Sequence, residues 1–161
     1  TLGQHCKVGG EVNNVVIFGY SNKGHDGFIG NSVIGEWCNL GADTNSSNLK
    51  NNYATVKLWN YKSKKFTDTG LQFAGVIMGD HAKTAINTQL NTGTVVGLAA
   101  NIFKNGFPPN LVENFSWGGM KGDEKFKLEK AIEVAEKAMI RRKIILSEAD
   151  KKILGYIFKQ Y

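Results

Sequence analysis

His5, His25 and His81 are the only imidazoles in a chain of 161 residues. Proton transfer near neutral pH therefore falls to one of them, because imidazole is the side chain whose ordinary pKa lies in that range. His25 is the candidate general base, since Gly24 and Gly27 place it in a loop free to meet a substrate. Zinc ligation would need a close pair of histidines on successive turns of a repeat, which these positions do not offer, so no metal site is expected. His81, in Gly79-Asp80-His81, reads as an outward corner residue, either functional at a subunit seam or near a cofactor, or simply hydrogen-bonded. Cys6 and Cys38 stand two positions before Val8 and Leu40 and read as buried small side chains, with a disulfide as the alternative.

The elements that must carry His25 follow from a six-residue beat. Aliphatic–glycine pairs recur at Ile29-Gly30, Ile34-Gly35 and Leu40-Gly41, and Met78, Thr84, Leu90, Val96 and Ile102 fall six apart. Two positions before each of the latter stand Val76, Ala82, Thr88, Thr94 and Ala100, small or β-branched residues suited to an inner corner. This is the hexapeptide repeat of a left-handed parallel β-helix, in which three short strands make one turn of about 18 residues and successive turns stack roughly 4.8 Å apart. Asn and Gly are expected at the corners, where some residues must adopt positive φ. The fold class is mainly β, with a C-terminal α-helical tail.

Along the chain, the β-helix is expected over 1–110. A protruding arm near 56–72 has the lysines Lys62, Lys64 and Lys65 at its turn, solvated or meeting phosphates of a ligand or a neighbouring subunit. Pro108 and Pro109 remove ladder donors and are expected to end the solenoid. Helices fill 120–161: Leu128, Ile132, Ala135 and Met139 form one apolar stripe, Ile153, Leu154, Ile157, Phe158 and Tyr161 another, with Ser147 as N-cap and Asp150 three on. The chain opens inside a repeat, which suggests a further domain upstream. The formal charge of +6 is spread over the arm and the tail and not over a stripe interleaved with aromatics. A nucleic-acid partner is therefore not expected, and a small anion such as a phosphorylated sugar or a nucleotide cofactor suits the sign. No apolar run is long enough to span a bilayer, so no membrane partner is expected and a cytoplasmic location is the default.

Lys23-Gly24-His25, Phe28-Ile29-Gly30, Val33-Ile34-Gly35, Asn39-Leu40-Gly41-Ala42 and Asn48 together resemble the acetyltransferase half of the bifunctional UDP-N-acetylglucosamine pyrophosphorylase/glucosamine-1-phosphate N-acetyltransferases. Gly41 through Asn51, with Gly79-Asp80-His81-Ala82-Lys83-Thr84 and Asn91-Thr92-Gly93-Thr94, more closely resembles a bacterial branch of sugar nucleotidyltransferases, some named glucose-1-phosphate thymidylyltransferase. The resemblance implies an acetyl-CoA-dependent N-acetyltransferase domain acting on an amino-sugar phosphate, within a bifunctional protein of nucleotide-sugar synthesis. His25 would be the catalytic base, Asn39 a sugar-phosphate contact, and Ala42 and Asn48 contacts to acetyl-CoA. It also implies a homotrimer with sites between subunits, and Mg2+ for an upstream nucleotidyltransferase domain only. Asn13 and Phe28 stand where that family places a lysine and a tyrosine on the sugar phosphate, and its coenzyme A serine has no counterpart near Asn87. Lys23, Lys50 or Lys83 could restore the charge. The alternative is a non-catalytic β-helix that trimerises or regulates a nucleotidyltransferase.

Overall fold

Pairs of residues, one pointing in and one out, make most of the strands, and their register defines the molecule. The computed structural model describes residues 1–160. One parallel ladder runs through Lys7–Val8, Asn22–Lys23, Asn39–Leu40, Lys83–Thr84, Asn101–Ile102 and Trp117–Gly118. Two longer strands, Glu11–Ile17 and Phe28–Ile34, pair in parallel along their length. They bend round a corner and so seed two further ladders. Ile29 pairs with Ser46, followed by Gln89–Leu90, while Val33–Ile34 pairs with Ile77–Met78, then Val95–Val96 and Leu111–Val112. Three ladders of parallel strands around one apolar column are the β-helix that the six-residue beat predicts.

The column is filled by Ile17, Ile29, Ile34, Leu40, Met78, Leu90, Val96, Ile102 and Val112, with Val76, Ala82 and Ala100 at inner corners. Threonines at that inner position close their own turns. The hydroxyls of Thr44, Thr88 and Thr94 donate to the carbonyls of Gly41, Ala85 and Asn91, each three residues back, at 2.7, 2.9 and 2.8 Å. A buried polar atom is thereby satisfied within its own corner. Cys38 is buried and Cys6 partly so, and both are free thiols.

Turn length is not uniform. Lys7 pairs with Asn22, fifteen positions on, Asn22 with Asn39, seventeen on, and Lys83 with Asn101, eighteen on. The prolines do not end the solenoid. Leu111–Val112 and Trp117–Gly118 continue two ladders beyond Pro108 and Pro109, because those residues lie in a loop between strands and withdraw no ladder donor. The β-helix therefore reaches Gly118, past the expected boundary at 110.

One corner departs from the Asn/Gly expectation. His5, Tyr20, Trp37, His81, Ala99 and Phe115 all hold positive φ, between 53° and 63°. The left-handed conformation costs such residues roughly 1–2 kcal/mol each, but it aims their side chains outward, one above the next. Tyr20 lies 4.1 Å from Trp37 with the rings 2° from parallel, and His5 and His81 extend the column at 5.3 and 6.5 Å.

The C-terminal helices cover this column. Helix α1 (Leu128–Ile140) and helix α2 (Glu148–Gln160) bury Ala131, Ala135, Met139 and Leu154 against Trp37, Ala99 and Phe115 in a second core. Ile132, Ile157 and Phe158 pack at its margin, whereas Ile153 of the expected stripe is exposed, and Tyr161 lies outside the described residues. Ser147 and Asp150 form the expected cap: the Asp150 amide donates to the Ser147 hydroxyl at 3.1 Å, and the Ser147 amide to the Asp150 carboxylate at 3.3 Å. Lys57–Asn60 and Lys65–Asp68 form an antiparallel hairpin where the arm was expected, held by Trp59 edge-on to Phe66.

Candidate functional site

The outward residues of the first ladder set up the site. Register stacks Lys7, Asn22, Asn39 and Lys83 on consecutive strands, so their side chains rise along one face about 4.8 Å apart. Past the strand Asn22–Lys23 the chain turns, and His25 sits exposed on that turn.

What holds the turn is Lys23, which is only 2% exposed. Its ammonium donates to the carbonyls of Gly9, His25 and Asp26 at 3.1, 2.5 and 3.0 Å. Burial lowers its pKa, while the carboxylates of Asp26 and Asp43 act the other way and favour the charged form. Lys23 is therefore unable to serve as a phosphate cation. Its three hydrogen bonds tie the turn that carries His25 to Gly9 on the adjacent coil. Lys50 lines neither this turn nor the cleft beside it, and donates to the Thr55 carbonyl at 2.9 Å.

A cleft of ≈ 440 Å³ opens beside the turn, lined by Lys7, Asn22, His25, Asn39 and Ala42, with Ile86 at its edge. The structure thus brings His25, Asn39 and Ala42 together. Gly41 forms part of the wall, where a Cβ would come within 2.4 Å of the Ala85 carbonyl carbon, so only glycine fits there. The Ala42 carbonyl accepts the Asn87 amide at 2.8 Å, which fixes the neighbouring turn. Asn48 is not part of this cleft. It lies at another corner, where its amide donates to the Asn31 side chain at 2.7 Å. Lys7 and Asn22 are lining residues that sequence reasoning missed. Their signal is the fifteen- and seventeen-residue register, which an even beat of eighteen hides. The side-chain oxygen of Asn22 is buried without a hydrogen-bond partner.

The other titratable groups divide by burial. His81 is stacked on Trp37 with Nδ1 buried and unpartnered, and burial, helped by the Lys83 charge, depresses its pKa to about 4. It lies under the helices and not in the His25 cleft. Burial pushes the Cys38 thiol up to about 12, so it offers no thiolate near neutrality. Among the described residues no three His, Cys, Asp or Glu side chains come together as a metal site would require. An exposed imidazole facing amides, a backbone turn and a lysine can take a proton from a bound nucleophile while neutral donors hold the substrate.

No family model matches the chain. Curated proteins do. It is 38% identical over 87 residues to the bifunctional protein GlmU of Methanocaldococcus jannaschii, covering 54% of this chain and 21% of that one. It is 36% identical over 93 residues to a bifunctional sugar-1-phosphate nucleotidylyltransferase/acetyltransferase of Sulfurisphaera tokodaii, covering 58% and 23%. A GlmU from Buchnera aphidicola subsp. Baizongia pistaciae is 30% identical over 110 residues, 65% of this chain and 20% of its own. The chain is a homologue of part of these bifunctional proteins. The matched part is C-terminal in the GlmU-type relatives, and the chain spans about a fifth to a quarter of their length. Among the described residues no helix is long and apolar enough to cross a membrane.

Proposed function

We propose that this β-helix is an acetyl-CoA-dependent acetyltransferase domain acting on an amino-sugar phosphate, within a bifunctional, cytoplasmic protein of nucleotide-sugar synthesis. The observation that carries the reading is the shared cleft of His25, Asn39 and Ala42. His25 acts as the base that takes a proton from the sugar amine as its nitrogen attacks the thioester carbonyl. Coenzyme A leaves as the thiolate and takes up a proton. Asn39 holds the sugar phosphate, and Ala42 lies beside the acetyl group. Asn48, at its separate corner, serves the cofactor in a neighbouring copy's cleft, which makes the working unit a homotrimer. The relatives' names, which join sugar-1-phosphate nucleotidyl transfer to acetyl transfer, support the substrate class. A nucleotidyltransferase domain upstream, with its own Mg2+, completes the proposed protein.

The test is coenzyme A release from acetyl-CoA in the presence of glucosamine 1-phosphate, with His25→Ala beside the unaltered protein. Turnover that falls by about 100-fold or more in the variant is expected for loss of a general base. Absence of turnover in both, with no acetyl-CoA binding, would leave the β-helix as a trimerising scaffold. That second reading is favoured by Asn13 and Phe28, which stand where the family's lysine and tyrosine would contact the phosphate.

A further inference from the structure

A second cleft lies on the other side of the same ladder, between it and the end of helix α1. It encloses ≈ 360 Å³ and draws cations from distant parts of the chain: Lys7 and Lys83 from the ladder, and Arg141 and Arg142 from the residues following the helix. None of the four has a carboxylate partner among the described residues, where every ion pair is made by Lys104, Lys130, Lys137 or Lys151. No acidic side chain lines the cleft. Cations without carboxylate partners around one concavity repel one another, burial lowers the Lys83 pKa, and an anion between them favours the charged forms.

The remaining wall narrows the chemistry. Tyr20 and Trp37 present the edge of the aromatic column, and Asn22 and Asn39 supply amides. The unpartnered oxygen of Asn22 lacks a donor such as a hydroxyl. Lys7, Asn22 and Asn39 also line the His25 cleft, so the two concavities share a wall. The Lys83 ammonium donates to the His81 carbonyl at 2.8 Å. A bare ion would use the charges alone. A phosphate ester uses the charges, the aromatic wall and the amides together.

We propose that this cleft binds a phosphate ester, with Arg141, Arg142, Lys7 and Lys83 holding the phosphate together with the Asn39 amide, and Asn22 meeting a hydroxyl of the group it carries. The phosphate has two sources under the function proposed above, the acceptor sugar and coenzyme A, and only the choice of these probes rests on that reading. Arg141 and Arg142 are exposed and make no ion pair that folding would need, so their removal leaves the fold intact.

The experiment is calorimetric titration of the unaltered chain and of Arg141→Gln/Arg142→Gln with glucosamine 1-phosphate, with coenzyme A and with inorganic phosphate. The arginine pair should weaken one of the two esters by about tenfold or more and flatten its salt dependence, as loss of charge-assisted contacts requires. Weakening confined to glucosamine 1-phosphate assigns the cleft to the acceptor, and weakening confined to coenzyme A assigns it to the cofactor. Unchanged affinity for both esters in the arginine variant, or no binding of either by the unaltered chain, overturns the proposal. Binding without any acetyl transfer would defeat the proposed activity and leave the phosphate site standing.

Discussion

Lys23 shows how a single charged side chain can be structural in a place that looks functional. Its neighbours in sequence, Gly24 and His25, belong to the candidate site, and its charge suits a phosphate. Yet the position is inward, the one at which Val8 and Leu40 stand on adjacent strands. Three backbone carbonyls, two of the turn and that of Gly9 on the adjacent coil, replace the water that the ammonium gives up. Lys23→Met keeps the length of the side chain and strands those acceptors, so unfolding in urea should show a loss of roughly 2–4 kcal/mol. Acetyl transfer, if measured under conditions where the variant remains folded, should fall as well, because the His25 turn loses its anchor. A variant of unaltered stability would mean that water satisfies the carbonyls equally well.

The aromatic column is the element that joins the two halves of the molecule. Trp37 lies between Tyr20 and His81 on the solenoid and contributes to the core under both helices. Trp37→Ala should cost about 3–5 kcal/mol in denaturant unfolding, the usual range for deleting a large buried ring. It should also make α1 and α2 more susceptible to limited proteolysis than the β-helix. The β-helix was legible because its signal is repetitive: aliphatic residues six apart can satisfy only a stacked solenoid over so long a stretch. His25, Asn39 and Ala42 were legible as members of motifs, and they do share a cleft. The column was not legible, because its residues are fifteen to eighteen apart across most steps, forty-four apart across the arm, and chemically mixed. Asn48 reads as a neighbour of Ala42 in sequence, but a residue a third of a turn away faces a different side of a solenoid. The continuation past Pro108 and Pro109 was hidden for a related reason: a proline ends a ladder only where its nitrogen should donate.

At the scale of the whole molecule, acid should separate the tail from the solenoid. His81 sits where they meet, with its pKa held at about 4 chiefly by burial and further by Lys83, while Asp80 and Asp150 act in the opposite direction. The unfolded chain, with an ordinary histidine pKa near 6.5, binds the proton first as the pH falls. The His81 contribution is therefore fully present above about pH 6.5 and is lost progressively down to about pH 4, by up to about 3 kcal/mol. Denaturant midpoints across that range should fall for the unaltered chain and fall less for His81→Phe, which keeps a flat ring against Trp37 and cannot take up a proton. Parallel curves for the two proteins would place the acid sensitivity elsewhere.

The arm has a simpler bearing on the molecule than its lysines suggest. The chain leaves the solenoid after Ser46 on one face and rejoins at Ile77 on the next, so the turn is completed as though nothing intervened. The Val56 amide on the Leu71 carbonyl and the Leu49–Phe73 bridge draw the departing and returning strands together at the base. Each doubling in length of such a closed loop adds only about 0.6 kcal/mol of chain entropy. The coil beneath is thus nearly indifferent to how far the arm extends, and its length and composition are free to answer to whatever it touches outside the barrel wall.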